Sequence, residues 1–110
     1  MLFISIDDFY KAAKDAKRLS REEEKIYATK MMQGDSESKE IIIRAYYHLV
    51  ASWIKRSPKD IQTLNAVYQC LNTLEKAVER FNFLQDNYTF TNHLSNLLRQ
   101  SITRCLVAPK

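Results

Sequence analysis

Residues 58–81, PKDIQTLNAVYQCLNTLEKAVERF, settle the architecture. Ile61, Leu64, Val67, Tyr68, Leu71, Leu74, Ala77, Val78 and Phe81 recur at spacings of three and four, the apolar stripe of one long amphipathic helix. Ser57-Pro58 reads as its start, with serine as N-cap and proline at the first helical position, where the missing N–H costs nothing. A stripe of this kind needs a partner, and the preceding segment 36–56 offers one. Its Ile41, Ile42, Ile43, Ala45, Tyr46, Leu49, Val50, Trp53 and Ile54 are apolar around more than half of the circumference, which predicts a central helix packed on several sides.

On either side of this pair, the same punctuation sets the remaining elements. Ser5 with Asp8 is a capping box opening a short helix with Phe9, Ala12, Ala13 and Ala16 at helical spacing; the pattern suits either a bundle member or a docking helix. Ser20-Arg21-Glu22-Glu23 repeats the signature, with Glu22, Glu23 and Glu24 at the positive end of the helix dipole. Ile26, Ala28, Met31 and Met32 form its apolar side, Gly34 stops it, and Asp35 caps the next helix. Residues 82–90, NFLQDNYTF, break the period with Asn82, Asp86 and Asn87 among three aromatics and read as an ordered loop. A last helix begins near Thr91 or Asn92, runs through Leu94, Leu97, Leu98, Ile102 and Leu106, and stops before Pro109. The sum is an all-α, single compact bundle of about five helices spanning residues 1–110.

Composition agrees. The chain has 110 residues with one glycine and two prolines, where average usage would supply roughly seven and five per hundred. Hairpins, bulges and phosphate-cradling loops lean on glycine, so this scarcity argues against a β-rich or nucleotide-loop protein. At 45% hydrophobic and 27% charged the sequence is globular rather than disordered. The net charge of +4 is spread over both halves, so a basic surface has to be made by folding. No apolar run is long enough to span a bilayer and the start lacks the charged n-region of a secretory signal. Cys70 and Cys105 have no metal-ligand spacing and read as reduced thiols, which points to a cytoplasmic protein.

The chemical inventory points away from an enzyme. His48 and His93 lie 45 positions apart without a metal or nucleophile motif, and the acidic clusters sit where helix starts favour negative charge. No catalytic residues, metal site or cofactor are expected, and no small-molecule substrate.

The order of signals from Leu19 onward is specific. LSREEEKIYATKMMQGDSESKEIIIRAYYHLVASWIKR, residues 19–56, resembles the conserved region of bacterial sigma-70-family RNA polymerase factors, from the end of region 1.2 into region 2. Leu19, Ser20, Glu22 to Glu24, Gly34-Asp35, Ala45, Leu49, Val50 and Ser52 carry the match. Further on, LEKAVERF at 74–81 and YTFTNHLSNLLRQSITR at 88–104 are similar to the family's second half, with Tyr88, Phe90, Arg99, Gln100, Ile102, Thr103 and Arg104 matching in order. The resemblance implies a sigma-70 region 2 fold that binds the RNA polymerase core and promoter minus-ten DNA.

It further implies polymerase contacts from Asn65, Tyr68, Gln69, Leu71 and Glu75, and DNA contacts from Tyr88, Phe90, His93, Arg99, Gln100, Thr103 and Arg104. The chemistry is sound in itself: opened bases are held by aromatic stacking and by donors at base edges, and arginines hold phosphates. Gln100, Thr103 and Arg104, three and four positions apart, are expected on one helix face, with Phe83, Tyr88 and Phe90 as aromatic surface at its entrance. The departures are equally definite. Asn96 and Leu97 stand where the family has tandem tryptophans, His93 stands for its stacking tyrosine, and Asn65, Gln69 and Cys70 replace two acids and a glycine in the polymerase-facing segment. With no helix-turn-helix region before Lys110, minus-thirty-five recognition would fall to a second sigma-like subunit. The alternative is a sigma-derived interaction module or regulator that does not melt DNA.

Overall fold

The computed structural model describes residues 3–85 and 87–107, and the last two of these by their helical backbone alone. The expected core position of Leu106, the place of Asp86 in the loop and the stop before Pro109 lie outside the described residues. Six α-helices and one short 3-10 turn are present among the described residues, with no strand: α1 Ile6–Asp15, α2 Arg21–Met32, α3 Ser36–Ala45, α4 Tyr47–Lys55, the 3-10 turn Lys59–Ile61, α5 Leu64–Arg80 and α6 Phe90–Val107.

The caps are local chemistry. Ser5 Oγ accepts from the Asp8 N–H, and at Ser20 the full reciprocal box forms, Ser20 Oγ accepting from Glu23 N–H while the Glu23 carboxylate accepts from Ser20 N–H. At the end of α2, Gly34 N–H donates to the Met31 carbonyl at 2.9 Å and Asp35 N–H to Lys30 at 3.1 Å, with Gly34 at φ +97°. Asp35 then caps α3, accepting from the backbone of Glu37 and Ser38 and from the Ser38 hydroxyl at 2.7 Å. Asp35 therefore both closes the Schellman ending of α2 and caps α3, and α2 turns sharply into α3.

Two boundaries differ from the sequence expectation. The 36–56 helix is interrupted at Tyr46 (φ −105°, ψ 5°), whose backbone N–H reaches Ile43 instead of continuing the α ladder. The break has a side-chain cause: Tyr46, 6% exposed, donates to the Glu24 carboxylate of α2 and packs edge-on against Phe90 with centroids 4.7 Å apart. The second difference is at Pro58, which starts the 3-10 turn, while Ser57 donates its hydroxyl back to the Trp53 carbonyl. α5 begins only at Leu64, capped by Thr63 Oγ1 accepting from Ala66 N–H.

The buried residues form one connected cluster reaching from Phe9 and Ala13 of α1 to Leu94, Leu98 and Ile102 of α6. α1 thus belongs to the bundle; Phe9 is fully buried and its ring meets Phe3 and Tyr47. α5 and α6 run antiparallel, since Thr73 meets Ser101 (2.9 Å) and Gln69 accepts from Cys105 Sγ (3.1 Å). α2 covers least, because Ile26 and Met32 of its expected apolar side are exposed and Ala28 alone is fully buried.

Gly34→Ala meets no atom within 4 Å of the new Cβ, so its cost is purely conformational, about 1–2 kcal/mol for a left-handed alanine, read as a lowered urea midpoint with unchanged m. Tyr46→Phe removes the donor to Glu24, whose carboxyl burial already holds above its ordinary 4.5. A raised carboxyl stabilises the fold below 4.5 and loses that contribution as pH rises through its folded value. The variant raises it further, so thermal melts should show a loss of about 1 kcal/mol at neutral pH that shrinks as pH falls through the raised folded value and is gone near pH 4.5.

Candidate nucleic-acid interface

α6 carries the residues singled out for DNA, and its start is fixed by its own chemistry. Thr89 Oγ1 accepts from Asn92 N–H at 3.2 Å and the Thr89 carbonyl accepts from His93 N–H, so the helix begins at Phe90, one residue before the expected start. Leu94, Leu98, Ser101 and Ile102 face the core, leaving Asn92, Asn96, Arg99, Gln100, Thr103 and Arg104 exposed. Residues 87–110 contain no Asp or Glu, so no carboxylate from this stretch opposes an anion along α6.

The exposed face has two flanks, and this corrects the single face expected for Gln100, Thr103 and Arg104. His93, Gln100 and Arg104 turn toward α5 and line a groove of about 330 Å³ with Lys76 and Arg80. Arg99 and Thr103 turn the other way and line a hollow of about 250 Å³ with Trp53, Arg56 and Pro58. Gln100 and Arg104 are four apart, and 100° of rotation separates Arg104 from Thr103.

The α5 groove is basic because the acids of α5 are drawn off. Lys39 of α3 pairs with Glu79 at 2.5 Å and Glu75 at 3.4 Å, which holds Glu79 below its usual carboxylate range and Lys39 above its own. Lys76 and Arg80 are left on the α6 side, opposite Arg104. On the other flank the Arg56 guanidinium lies over the Trp53 ring, 5.1 Å from its centre. Trp53, expected in the core from its apolar spacing, is half-buried there, and Lys76, Arg80 and Arg56 carry no such signal.

The aromatic residues divide sharply. Phe83 and Phe90 are buried, 6% and 2% exposed, and interlock with Phe81 at centroid distances of 4.9–5.2 Å, so neither offers a surface to a base. Phe90 is thereby removed from the DNA-facing set. His93 is half-buried against Phe81 at 5.2 Å. Tyr88 alone of these loop aromatics is exposed, at 41%, and its hydroxyl accepts from Asn96 Nδ2 at 2.9 Å while Asn96 Oδ1 accepts from Arg99 at 3.2 Å. The loop before it is held by Gln85, which accepts from the backbone N–H groups of Asn87 and Tyr88 and donates to the Tyr88 carbonyl.

The residues expected to face a polymerase do not form one free patch. Asn65 and Gln69 are exposed, Gln69 bonded to Cys105. Tyr68 is covered by the N-terminal segment, its hydroxyl accepting from Phe3 N–H at 2.7 Å; Leu71 packs on the core and Glu75 is paired with Lys39. Cys70, fully buried, has its thiol pushed up to about 12 by desolvation. Among the described residues no cluster could hold a metal ion, and no helix is long and apolar enough to cross a membrane.

No family model, curated protein or solved structure matches the chain.

The division of the aromatics is testable by stability alone. Phe90→Ala should cost about 3–5 kcal/mol in urea denaturation, whereas Tyr88→Ala should stay within about 1 kcal/mol.

Proposed function

We propose that this chain is a sigma-70-like transcription initiation subunit that uses α6 on promoter minus-ten DNA and the exposed part of α5 on the RNA polymerase core. The observation that carries the reading is the acid-free exposed side of α6, where Arg99, Gln100, Thr103 and Arg104 stand in the same run that resembles the family and basic groups border both flanks. Phosphates would be held by Arg104 with Lys76 and Arg80 on one flank and by Arg99 with Arg56 on the other. Gln100 supplies an amide able to read a base edge. No catalytic step, membrane or cofactor enters this reading.

A second reading, a sigma-derived protein-interaction module without DNA melting, is favoured by the burial of Phe83 and Phe90 and by Asn96 and Leu97 in place of tryptophans. Stacking supplies about 1–3 kcal/mol per base, and Tyr88 is the exposed loop platform. Capture of single strands should therefore be weak.

The deciding experiment is pull-down of purified RNA polymerase core followed by anisotropy titrations on forked promoter DNA over a range of salt. Binding of both partners is expected; retention of polymerase with no DNA binding selects the second reading, and loss of both removes the first. Arg104→Ala should reduce the salt slope by about one while Gln100→Ala leaves the slope and relaxes base preference.

A further inference from the structure

A second basic concavity lies away from the α5–α6 groove, between α1 and α4. It is an open hollow of about 640 Å³, and Lys11, Lys14, Arg18, Lys55 and Arg56 all line it together with His48 and Tyr10. No carboxylate lines it, and none pairs with these five cations among the described residues. Solvated surface lysines usually alternate with acids or pair at helical spacing. Here three cations from α1 and its C-terminal extension face two from the last turn of α4 across one hollow.

Three details make this more than a charged patch. The walls between the cations are apolar, built by Ala13, Ala16 and Ala51, and the volume falls within the range of about 300–1,000 Å³ typical of small-molecule sites. Tyr10 buries its hydroxyl without a hydrogen-bond partner among the described residues, a polar group that ordinarily finds one. Its ring carries the Lys55 ammonium 4.6 Å from the centre, which fixes that cation over the hollow. His48 Nδ1 is bonded to the Ala45 carbonyl at 2.8 Å, so its other ring nitrogen is left for a ligand or water.

We infer that the α1–α4 cleft is a binding site for a small, multiply phosphorylated compound of nucleoside-polyphosphate size. Five cations lining one open hollow exceed what a single phosphate needs and match the clustered charge of a di- or triphosphate. The alanine walls give an apolar body room beside it. This goes beyond the α6 reading: Arg56 is shared with the flank of α6, whereas Lys11, Lys14, Arg18, Lys55 and Tyr10 take no part there.

The test uses the full chain with inorganic tripolyphosphate and, separately, a nucleoside triphosphate, by calorimetry without divalent metal. Saturable one-to-one binding is expected, weakened about tenfold or more by the double change Lys11→Gln and Lys14→Gln and unchanged by Arg104→Ala. A direct readout needs no variant: the His48 imidazole, held low by burial and by Arg18, should titrate at higher pH when the anion is bound. Arg18 and the Glu24 carboxylate, which line a smaller hollow with it, the Ala45 carbonyl and the Tyr46 ring, 6.1 Å away, are its neighbours, with Lys11, Lys14, Lys55 and Arg56 lining the same cleft. Absence of saturable binding, or binding that moves neither His48 nor responds to the lysine changes, overturns the proposal. So does a single-stranded oligonucleotide that binds more tightly than tripolyphosphate and loses affinity with the same two lysines, which would make the cleft a nucleic-acid track.

Discussion

Tyr46 is the point on which the arrangement of helices turns. An apolar segment from Ile41 to Ile54 would run as one helix if only its own propensity counted. The tyrosine hydroxyl, however, has a half-buried carboxylate to satisfy on α2, and its ring has Phe90 to cover at the start of α6. Both are met from one position only if the backbone turns there. The break re-aims α4 so that Val50 and Ile54 enter the core and Lys55 and Arg56 emerge beside α1. One buried side chain thus joins three elements, and desolvation together with the Glu24 carboxylate keeps its phenol protonated.

The aromatic cluster below Tyr46 continues the same logic. Phe81, Phe83, Phe90 and His93 come from the end of α5, the loop and the start of α6, and their edge-to-face and tilted ring contacts close the turn between two antiparallel helices. A loop carrying this much apolar surface beside an incompletely covered bundle end gains more by burying the rings than by presenting them. The cost falls on any stacking role, which passes to Tyr88.

Most of the fold was legible from capping chemistry and apolar spacing. Ser5, Ser20, Gly34-Asp35 and the stripe of residues 64–78 behave as local rules require, because each satisfies backbone groups within a few residues of itself. What was not legible depended on residues distant in sequence: the break at Tyr46 needs Glu24 and Phe90, and the inward turn of Phe90 needs Tyr46. The delayed start of α5 is a narrower case, in which Ser57 found a partner in the Trp53 carbonyl and Thr63 offered a second cap. For the candidate interface, spacing located α6 and its exposed polar residues. It placed Gln100, Thr103 and Arg104 together because positions three and four apart are neighbours in pairs, yet three residues so spaced span more arc than a single groove.

Charge segregation has the same non-local origin. α5 carries Glu75 and Glu79 interleaved with Lys76 and Arg80, a pattern that reads as a mixed solvated face. Lys39, some forty positions earlier, draws both acids to one side and so leaves a basic edge toward α6. A modest net charge of +4 is thereby sorted into the α5–α6 groove, the Trp53–Arg56 flank and the α1–α4 cleft, with Arg56 shared between the last two. Surfaces of one sign produced in this way need no polybasic tract, and their strength depends on helix packing. A change that loosens α3 from α5 would return the acids to the groove and weaken anion binding there without touching any residue that lines it.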